Sequence, residues 1–259
     1  MDEFVDYHIH SKYSDGELLP QEIINYMRGR RARCISITDH NTIKGYSNKL
    51  DLSGIRLISG VEADVNFGHR VQLLCYDFDI NDQRINERFD YIQLQRNRNS
   101  INLIKKMNKV GINVENDSDI YEYINDFDRI CKIIKESGFG DSVTEVKNKY
   151  FLPGGAFYFD IPVLDTHECI QMFQNAGGKV VLAHPGRISY DMEVIDPIVQ
   201  KLLEYGLDGI ECYHPDHDDR FTKKIVKLTK DNKLLITGGS DMHARKTDYY
   251  VNEKNVYLF

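Results

Sequence analysis

Short apolar runs recur along this chain, and most end within a residue or two of a histidine or a carboxylate. Residues 4–10 predict a first strand, Cys34–Thr38 a second and Ile55–Glu62 a third. Val71–Tyr76, Lys179–Ala183, Gly209–Tyr213 and Leu234–Thr237 predict later ones. Between the first two strands, Leu19-Pro20-Gln21-Glu22 opens a helix, with proline near the first turn where its missing N–H costs nothing. Strands alternating with helical segments predict parallel pairing and an α/β barrel. In such barrels the chemistry gathers at the carboxyl ends of the strands.

The middle of the chain breaks this rhythm. Over residues 81–168 the period is helical: Ile101, Ile104, Met107 and Val110 recur at helix spacing, with Gly111 as the cap. Ile120 to Gly138 predicts further helix, with Ile130, Ile133 and Ile134 on one side. The domain reading is therefore a barrel built from residues 1–80 and 169–259, with 81–168 as a helical insertion. A lid over the mouth of the barrel is the expected role for that insertion.

Composition narrows the classes. With 259 residues, 41% hydrophobic and 28% charged, the chain is ordinary for a water-soluble domain, and barrels of this size form single units. Its five cysteines form no C-x-x-C pair, and Cys34, Cys75 and Cys212 lie within apolar runs as small buried hydrophobes. That usage predicts a reducing, cytoplasmic setting. The N-terminus lacks the basic and apolar regions of a signal peptide, and no run approaches the about 18 apolar residues of a membrane span. A net charge of −7 argues against broad capture of duplex nucleic acid. The basic group Arg28, Arg30, Arg31 and Arg33 closes the first helix, where cations favour the dipole.

Eight residues carry metal-ligand chemistry. His8 and His10 stand in Asp-Tyr-His-Ile-His, Asp15 follows, and His40 ends Ser-Ile-Thr-Asp-His. Glu62 lies in Gly-Val-Glu-Ala-Asp, His184 in Leu-Ala-His-Pro-Gly, and Asp241 with His243 in Gly-Ser-Asp-Met-His. Side chains two apart on a strand share a face, so His8 and His10 point together, as do Asp241 and His243 if the chain is extended there. Each motif alone has a plain reading: an incidental H-x-H, Asp39 capping the turn that follows, Glu62 on the surface. Their joint occurrence at successive strand ends is what predicts one polynuclear site for Zn, Mn or Fe. A fold has little reason to gather so many polar groups unless cations satisfy them.

The order of these motifs resembles the PHP superfamily, the polymerase and histidinol phosphatase domains, over residues 4–76 and 178–245. The insertion before Ala-His-Pro-Gly-Arg, and Gly-Ile-Glu-Cys-Tyr-His-Pro-Asp-His after it, are similar to one branch in particular. That branch holds trinuclear phosphoesterases of nucleoside 3′,5′-bisphosphates and of short RNA 5′ ends. The resemblance implies a distorted (β/α)7 barrel and two or three divalent ions. One ion would take His8, His10, Glu62 and Asp241; a second would share Glu62 with His184; a third would take Asp15, His40 and His243. Two departures stand out. The branch carries a histidine on the strand where this chain has Gln72, with His69 nearby, and its Gly-Arg-Pro-His segment is missing between Tyr121 and Tyr158.

The expected activity is metal-dependent hydrolysis of a small phosphorylated molecule by metal-activated hydroxide. Arg187, three residues past His184, is the expected phosphate clamp, since a planar guanidinium matches phosphate geometry. His214 and His217, flanking Pro215 after a predicted strand, are expected to contact phosphate, with His214 placed to give a proton to the leaving alcohol. A 5′-to-3′ exonuclease on short single strands is the alternative, and Tyr150-Phe151 to Tyr158-Phe159 would serve it as a stacking track or else be a packing strip. A noncatalytic regulatory module needs degraded ligands, and only the Gln72 position looks degraded.

Overall fold

A computed structural model describes residues 4–47, 49–68, 71–112, 127–160, 162–245, 249 and 251–259. The chain divides into two compact units, one of Met1–Phe89 with Val163–Phe259 and the other of Asp90–Pro162. His69 and residues 113–126, within which the start of the second insertion helix was expected, lie outside the described residues.

The first unit is α/β. Its strands are β1 (Phe4–Asp6), β2 (Ala32–Ser36), β3 (Arg56–Ile58), β4 (Gly60–Asn66), β5 (Gln72–Tyr76), β6 (Leu164–Asp165), β7 (Lys179–Leu182), β8 (Gly209–Tyr213), β9 (Leu235–Gly238) and β10 (Val251–Asn252). They form a four-stranded sheet in the order β10-β1-β2-β3 and a six-stranded sheet in the order β6-β4-β5-β7-β8-β9. Single parallel bridges, Ile9 to Met242 and His40 to Glu62, link the sheets just past the ends of β1 and β2. A shared core confirms the link: Val5, Tyr7, Cys34 and Ile58 from one sheet pack with Leu74, Tyr76 and Val181 from the other. All five cysteines are buried, and none forms a disulfide.

Two expectations change. The predicted third strand is two strands, because Ser59 gives its carbonyl to the Asp77 N–H and breaks the run between β3 and β4. Pairing is also mixed: β5 runs antiparallel to both β4 and β7. Between β4 and β5 lie only residues 67–71, too few for the crossover of a dozen or more residues that a parallel pair needs.

Local signals set the helices. In α1 (Pro20–Gly29), Glu22 accepts the Leu19 N–H at 2.9 Å, and Ile23, Ile24 and Met27 bury one face. The arginines at its end are tied at the surface, Arg28 to Asp51 and Arg33 to Glu253. Asp165, Asp191 and Asp218 accept backbone N–H groups at the starts of α5 (Thr166–Asn175), α6 (Met192–Glu204) and α7 (Asp219–Asp231).

Helix α2 (Gln83–Lys109) ends as expected, with Gly111 at φ +86. Its buried stripe differs from the expected one: Ser100, Leu103 and Met107 are buried, while Ile101 and Val110 are exposed. The second unit packs Leu103 and Met107 with Ile130, Cys131 and Ile134 of α3 (Phe127–Ile134), Val146 of α4 (Val143–Val146), and Phe157. Tyr150 and Phe151 lie against Phe157 with ring centroids 5.3 and 5.9 Å apart, so this aromatic stretch is a packing strip. No helix among the described residues is long and apolar enough to cross a membrane.

Gly239 fixes how closely the chain after β9 approaches β1. A Cβ there would lie 2.3 Å from His8 Cβ and 2.5 Å from the His8 nitrogen, with backbone that cannot swing away. Gly239→Ala is expected to destabilise the protein by about 1–3 kcal/mol through overpacking. A thermal or denaturant unfolding midpoint equal to that of the parent chain would refute this reading of the contact.

Candidate metal centre

All eight expected ligand residues stand in the first unit, and six come from the loops just beyond strand ends. His8 and His10 follow β1, His40 follows β2, Glu62 lies in β4, His184 follows β7, and Asp241 and His243 follow β9. Asp15 comes from the loop between β1 and α1. His8 Nε2 lies 3.3 Å from Glu62 and 3.4 Å from Asp241, and His10 Nε2 lies 3.3 and 3.0 Å from the same two carboxylates. His40 and His243 face Asp15 at 3.4 and 3.3 Å, and His184 Nε2 meets Glu62 Oε1 at 2.8 Å. The clusters whose donor atoms converge are His10-Asp15-His40-His243, His8-His10-Glu62, His8-His184-Asp241 and His8-Glu211-His214.

Burial makes this arrangement expensive without cations. His8, His10, Glu62 and His184 are at most 3% exposed. Six buried atoms here have no hydrogen-bond partner: His8 Nε2, His10 Nε2, His184 Nδ1, His214 Nε2 and both oxygens of Asp241. The nitrogens of His8, His10 and His214 approach carboxylate oxygens of Glu62 and Asp241 at ion-pair distance without hydrogen-bond alignment, as donors aimed at common points do. Such orphaned atoms are rare in a native interior, and divalent ions would satisfy them. Imidazole with carboxylate is a donor set that Mn, Fe and Zn accept.

The electrostatics agree. Burial pushes Glu62 up, but the rings of His40 and His8 beside it, the close approach of His10 and the hydrogen bond with His184 hold it well below the usual carboxylate range. Burial presses His10 down, yet Asp241 and Glu62 carry it up to about 9. Asp241 is held far below the ordinary range against its burial, chiefly by His8 and His10. Positive charge beside them is what keeps these buried carboxylates ionised.

Orienting partners turn several rings. His8 Nδ1 meets Glu211 Oε1 at 3.0 Å, while the other Glu211 oxygen accepts the His184 N–H at 2.8 Å. Burial raises the Glu211 carboxyl, but His8 overrides it and brings it to about 2. His243 Nδ1 lies 2.8 Å from the Asp241 carbonyl, and His10 Nδ1 3.4 Å from Ser14 Oγ. Each leaves Nε2 pointing into the cluster, the usual design around a metal. His184 and Asp241 also sit at positive φ, +21 and +51, where backbone strain marks functional positions.

Several supporting residues had no role in the sequence reading. Glu211 and Asp6 are carboxylates inside otherwise apolar runs, and that was the signal available for both. Asp6 accepts the N–H groups of His8 and Ser240 and the Ser240 hydroxyl, tying β1 to the loop that carries Asp241. Asp39 accepts from the Ser11 N–H and hydroxyl and from Ser14 Oγ at 2.6–2.7 Å, so it clasps the Asp15 loop instead of capping the turn after itself. Gln72 Nε2 donates to Asp64 at 3.0 Å and lies 3.5 Å from His40 Nδ1, which makes it a buttress beside the cluster.

The three residues expected to meet substrate differ in their surroundings. Arg187 donates from Nε to Asp216 at 2.8 Å and places Nη2 2.7 Å from Asp241. His214 Nδ1 accepts the Asp216 N–H at 3.1 Å, so in the neutral ring the proton sits on Nε2, 3.5 Å from Asp241. The Nε2–H is then the donor that this ring offers to the site. His217 is a correction. Nδ1 meets the Cys212 carbonyl at 3.0 Å and Nε2 accepts the Gly186 N–H at 3.1 Å, so both nitrogens are used by backbone. Its ring straps the turn that bears Arg187.

Comparison with known proteins places this geometry. The PHP domain family matches residues 6–134. The chain is 25% identical to a phosphoribosyl 1,2-cyclic phosphate 1,2-diphosphodiesterase of Eggerthella lenta, covering 93% of this chain and 94% of that protein. It is 26% identical to a 3′,5′-nucleoside bisphosphate phosphatase of Chromobacterium violaceum, covering 93% and 87%. A third relative is the 5′-3′ exoribonuclease Rnm of Escherichia coli, 24% identical over 92% of this chain and 84% of that one. Among solved structures, a Chromobacterium violaceum amidohydrolase superposes with a TM-score of 0.74 at 22% identity, over 97% of this chain and 89% of that one.

The Glu211 contacts carry a prediction of their own. Glu211→Gln keeps the shape but removes the charge that orients His8, and metal affinity is expected to fall about 10- to 100-fold. Competitive titration with a chelating indicator measures it, alongside circular dichroism to establish that the variant folds. Unchanged affinity in a folded variant would exclude the orienting role.

Proposed function

The chain belongs to the PHP superfamily, and on that premise we propose that it hydrolyses a phosphoester of a small phosphorylated molecule at a cluster of two or three divalent ions, Mn, Fe or Zn. The observation that carries this reading is the convergence of buried, unpartnered imidazole nitrogens and carboxylate oxygens at one rim. We take the two bridged sheets as a distorted (β/α)7 barrel whose strand ends supply that rim. His8, His10, Glu62 and Asp241 would hold one ion, and Asp15, His40 and His243 another. Glu62 and His184 would share a third, beside the Gln72 amide that is already engaged with Asp64. Intact ligand sets argue against a noncatalytic regulatory role.

When bound, such ions supply Lewis acidity toward phosphoryl oxygens and make water nucleophilic at neutral pH. The chain's own residues do the rest. Glu62 and Asp241 stay ionised in a buried setting and so remain fit to bind cations. Arg187, half-exposed at the rim, offers its planar fork to a phosphate. His214 offers an Nε2–H from a buried ring, a donor for a phosphoryl oxygen or for the leaving-group oxygen.

Two measurements test this. Purified protein is expected to carry at least two transition ions per chain by elemental analysis, and chelation is expected to abolish phosphate release until Mn, Fe or Zn is restored. Active protein with only trace metal would overturn the proposal. Arg187→Ala is expected to lower kcat/KM about tenfold, or ~1.5 kcal/mol, the lower end for a charge-assisted contact because the residue is half-exposed. The loss should be similar across a nucleoside bisphosphate, a cyclic ribose phosphate, histidinol phosphate and a short 5′-phosphorylated RNA. A changed preference with the best rate intact would remove Arg187 from the phosphate.

A further inference from the structure

A guanidinium has three faces for hydrogen bonding, and in Arg187 they are not equally occupied. Its Nε makes an aligned hydrogen bond to Asp216 Oδ2 at 2.8 Å. Nη2 lies 2.7 Å from Asp241 Oδ2, but this is a contact of charges without hydrogen-bond alignment. Among the described residues no acceptor is aligned on the Nη1–Nη2 edge, the edge that a phosphate grips with two parallel bonds. Asp216 therefore holds the arginine from behind and leaves its bidentate edge for another anion.

Asp216 has a second connection to the same place. Its backbone N–H donates to His214 Nδ1 at 3.1 Å, which turns His214 Nε2 toward Asp241. The residue is itself pinned, because Tyr190 donates its hydroxyl to the Asp216 carbonyl. The turn bearing Arg187 is pinned separately by the hydrogen bond from Gly186 to His217. One exposed aspartate thus touches both groups assigned to the substrate phosphate, and it comes from a different loop than Arg187.

We propose that Asp216 is a positioning residue for phosphate binding: its carboxylate braces Arg187 at Nε so that the Nη1–Nη2 edge faces the substrate. This rests on Arg187 being the phosphate clamp. Replacing Asp216 leaves its backbone bond to His214 in place, so the side-chain effect can be read alone. A brace lowers the cost of ordering a long side chain, and its loss should appear in binding before it appears in the chemical step.

The test uses metal-loaded protein and inorganic phosphate as the probe. Asp216→Ala is expected to raise both the phosphate inhibition constant and the substrate KM about two- to fivefold, the scale of a well-formed exposed ion pair, with kcat nearly unchanged. Asp216→Glu should recover part of the loss, and metal content and unfolding midpoint should stay at parental values. In an Arg187→Ala background, Asp216→Ala should add nothing. If Asp216→Ala changes neither constant while Arg187→Ala weakens both, the brace is wrong and the clamp stands. If neither variant changes them, the clamp reading fails and the brace with it. Tighter phosphate binding in Asp216→Ala would mean that the aspartate competes with phosphate, which also overturns the proposal.

Discussion

The structure is organised around the cost of burying Glu62 and Asp241 as anions. Both are almost wholly removed from water, at 1% and 8% exposure, and among the described residues no lysine pairs with either of them. A buried carboxylate without a counter-charge would neutralise itself. Here several imidazole rings, and at Asp241 the Arg187 guanidinium as well, stand against them, and both carboxyls are held well below the usual carboxylate range. The same rings offer unpartnered nitrogens, the donor atoms that a divalent ion would take. Only a fold that brings many strand ends to one rim can surround two carboxylates in this way, and the two sheets with their bridges do so.

The price of such convergence appears in the backbone. His184 and Asp241 adopt positive φ, and Gly239 has no room for a side chain against His8. Carboxylates then fasten the loops that carry the ligands. Asp6 joins the His8 and Ser240 segments, Asp39 holds the Asp15 loop, and Glu211 reaches both His8 and the backbone of His184. None of the three stands among the expected ligands, yet each fixes the aim of one.

Much of this was legible in the sequence because ligands at strand ends leave a repeating trace: an apolar run, then histidine or acid. That trace placed His8, His10, His40, His184, Asp241 and His243 just past strand ends, whereas Glu62, expected to close a strand, lies near the start of β4. What it could not reveal was direction and pairing. Val71–Tyr76 looks equally apolar whether its neighbours run parallel or antiparallel, and only the five-residue link to β4 hinted at the latter. Supporting carboxylates were harder still, since Glu211 in an apolar strand resembles a sequence accident until its partners 27 and 203 residues away are known. The stripe of α2 misled because Ile101 and Val110 are apolar but exposed, while the polar Ser100 is buried.

His217 illustrates the limit of reading residues by type. A histidine three places from His214, beside aspartates and past a strand end, has the chemistry of a phosphate contact. Its two nitrogens are nonetheless consumed by Cys212 and Gly186, and a Cβ on Gly186 would lie 2.5 Å from its ring. Burial presses its pKa below the usual histidine value, and a neutral ring is what a simultaneous donor and acceptor must be. The loop therefore separates two tasks by tautomer and partner. His217 locks the Arg187 turn in place, and His214, its Nδ1 capped by the Asp216 backbone N–H, keeps one N–H for the site. Metal-gathering residues of this kind are compatible with several phosphoesters, so substrate choice must lie with groups that meet the rest of the molecule, beyond the rim that grips its phosphate.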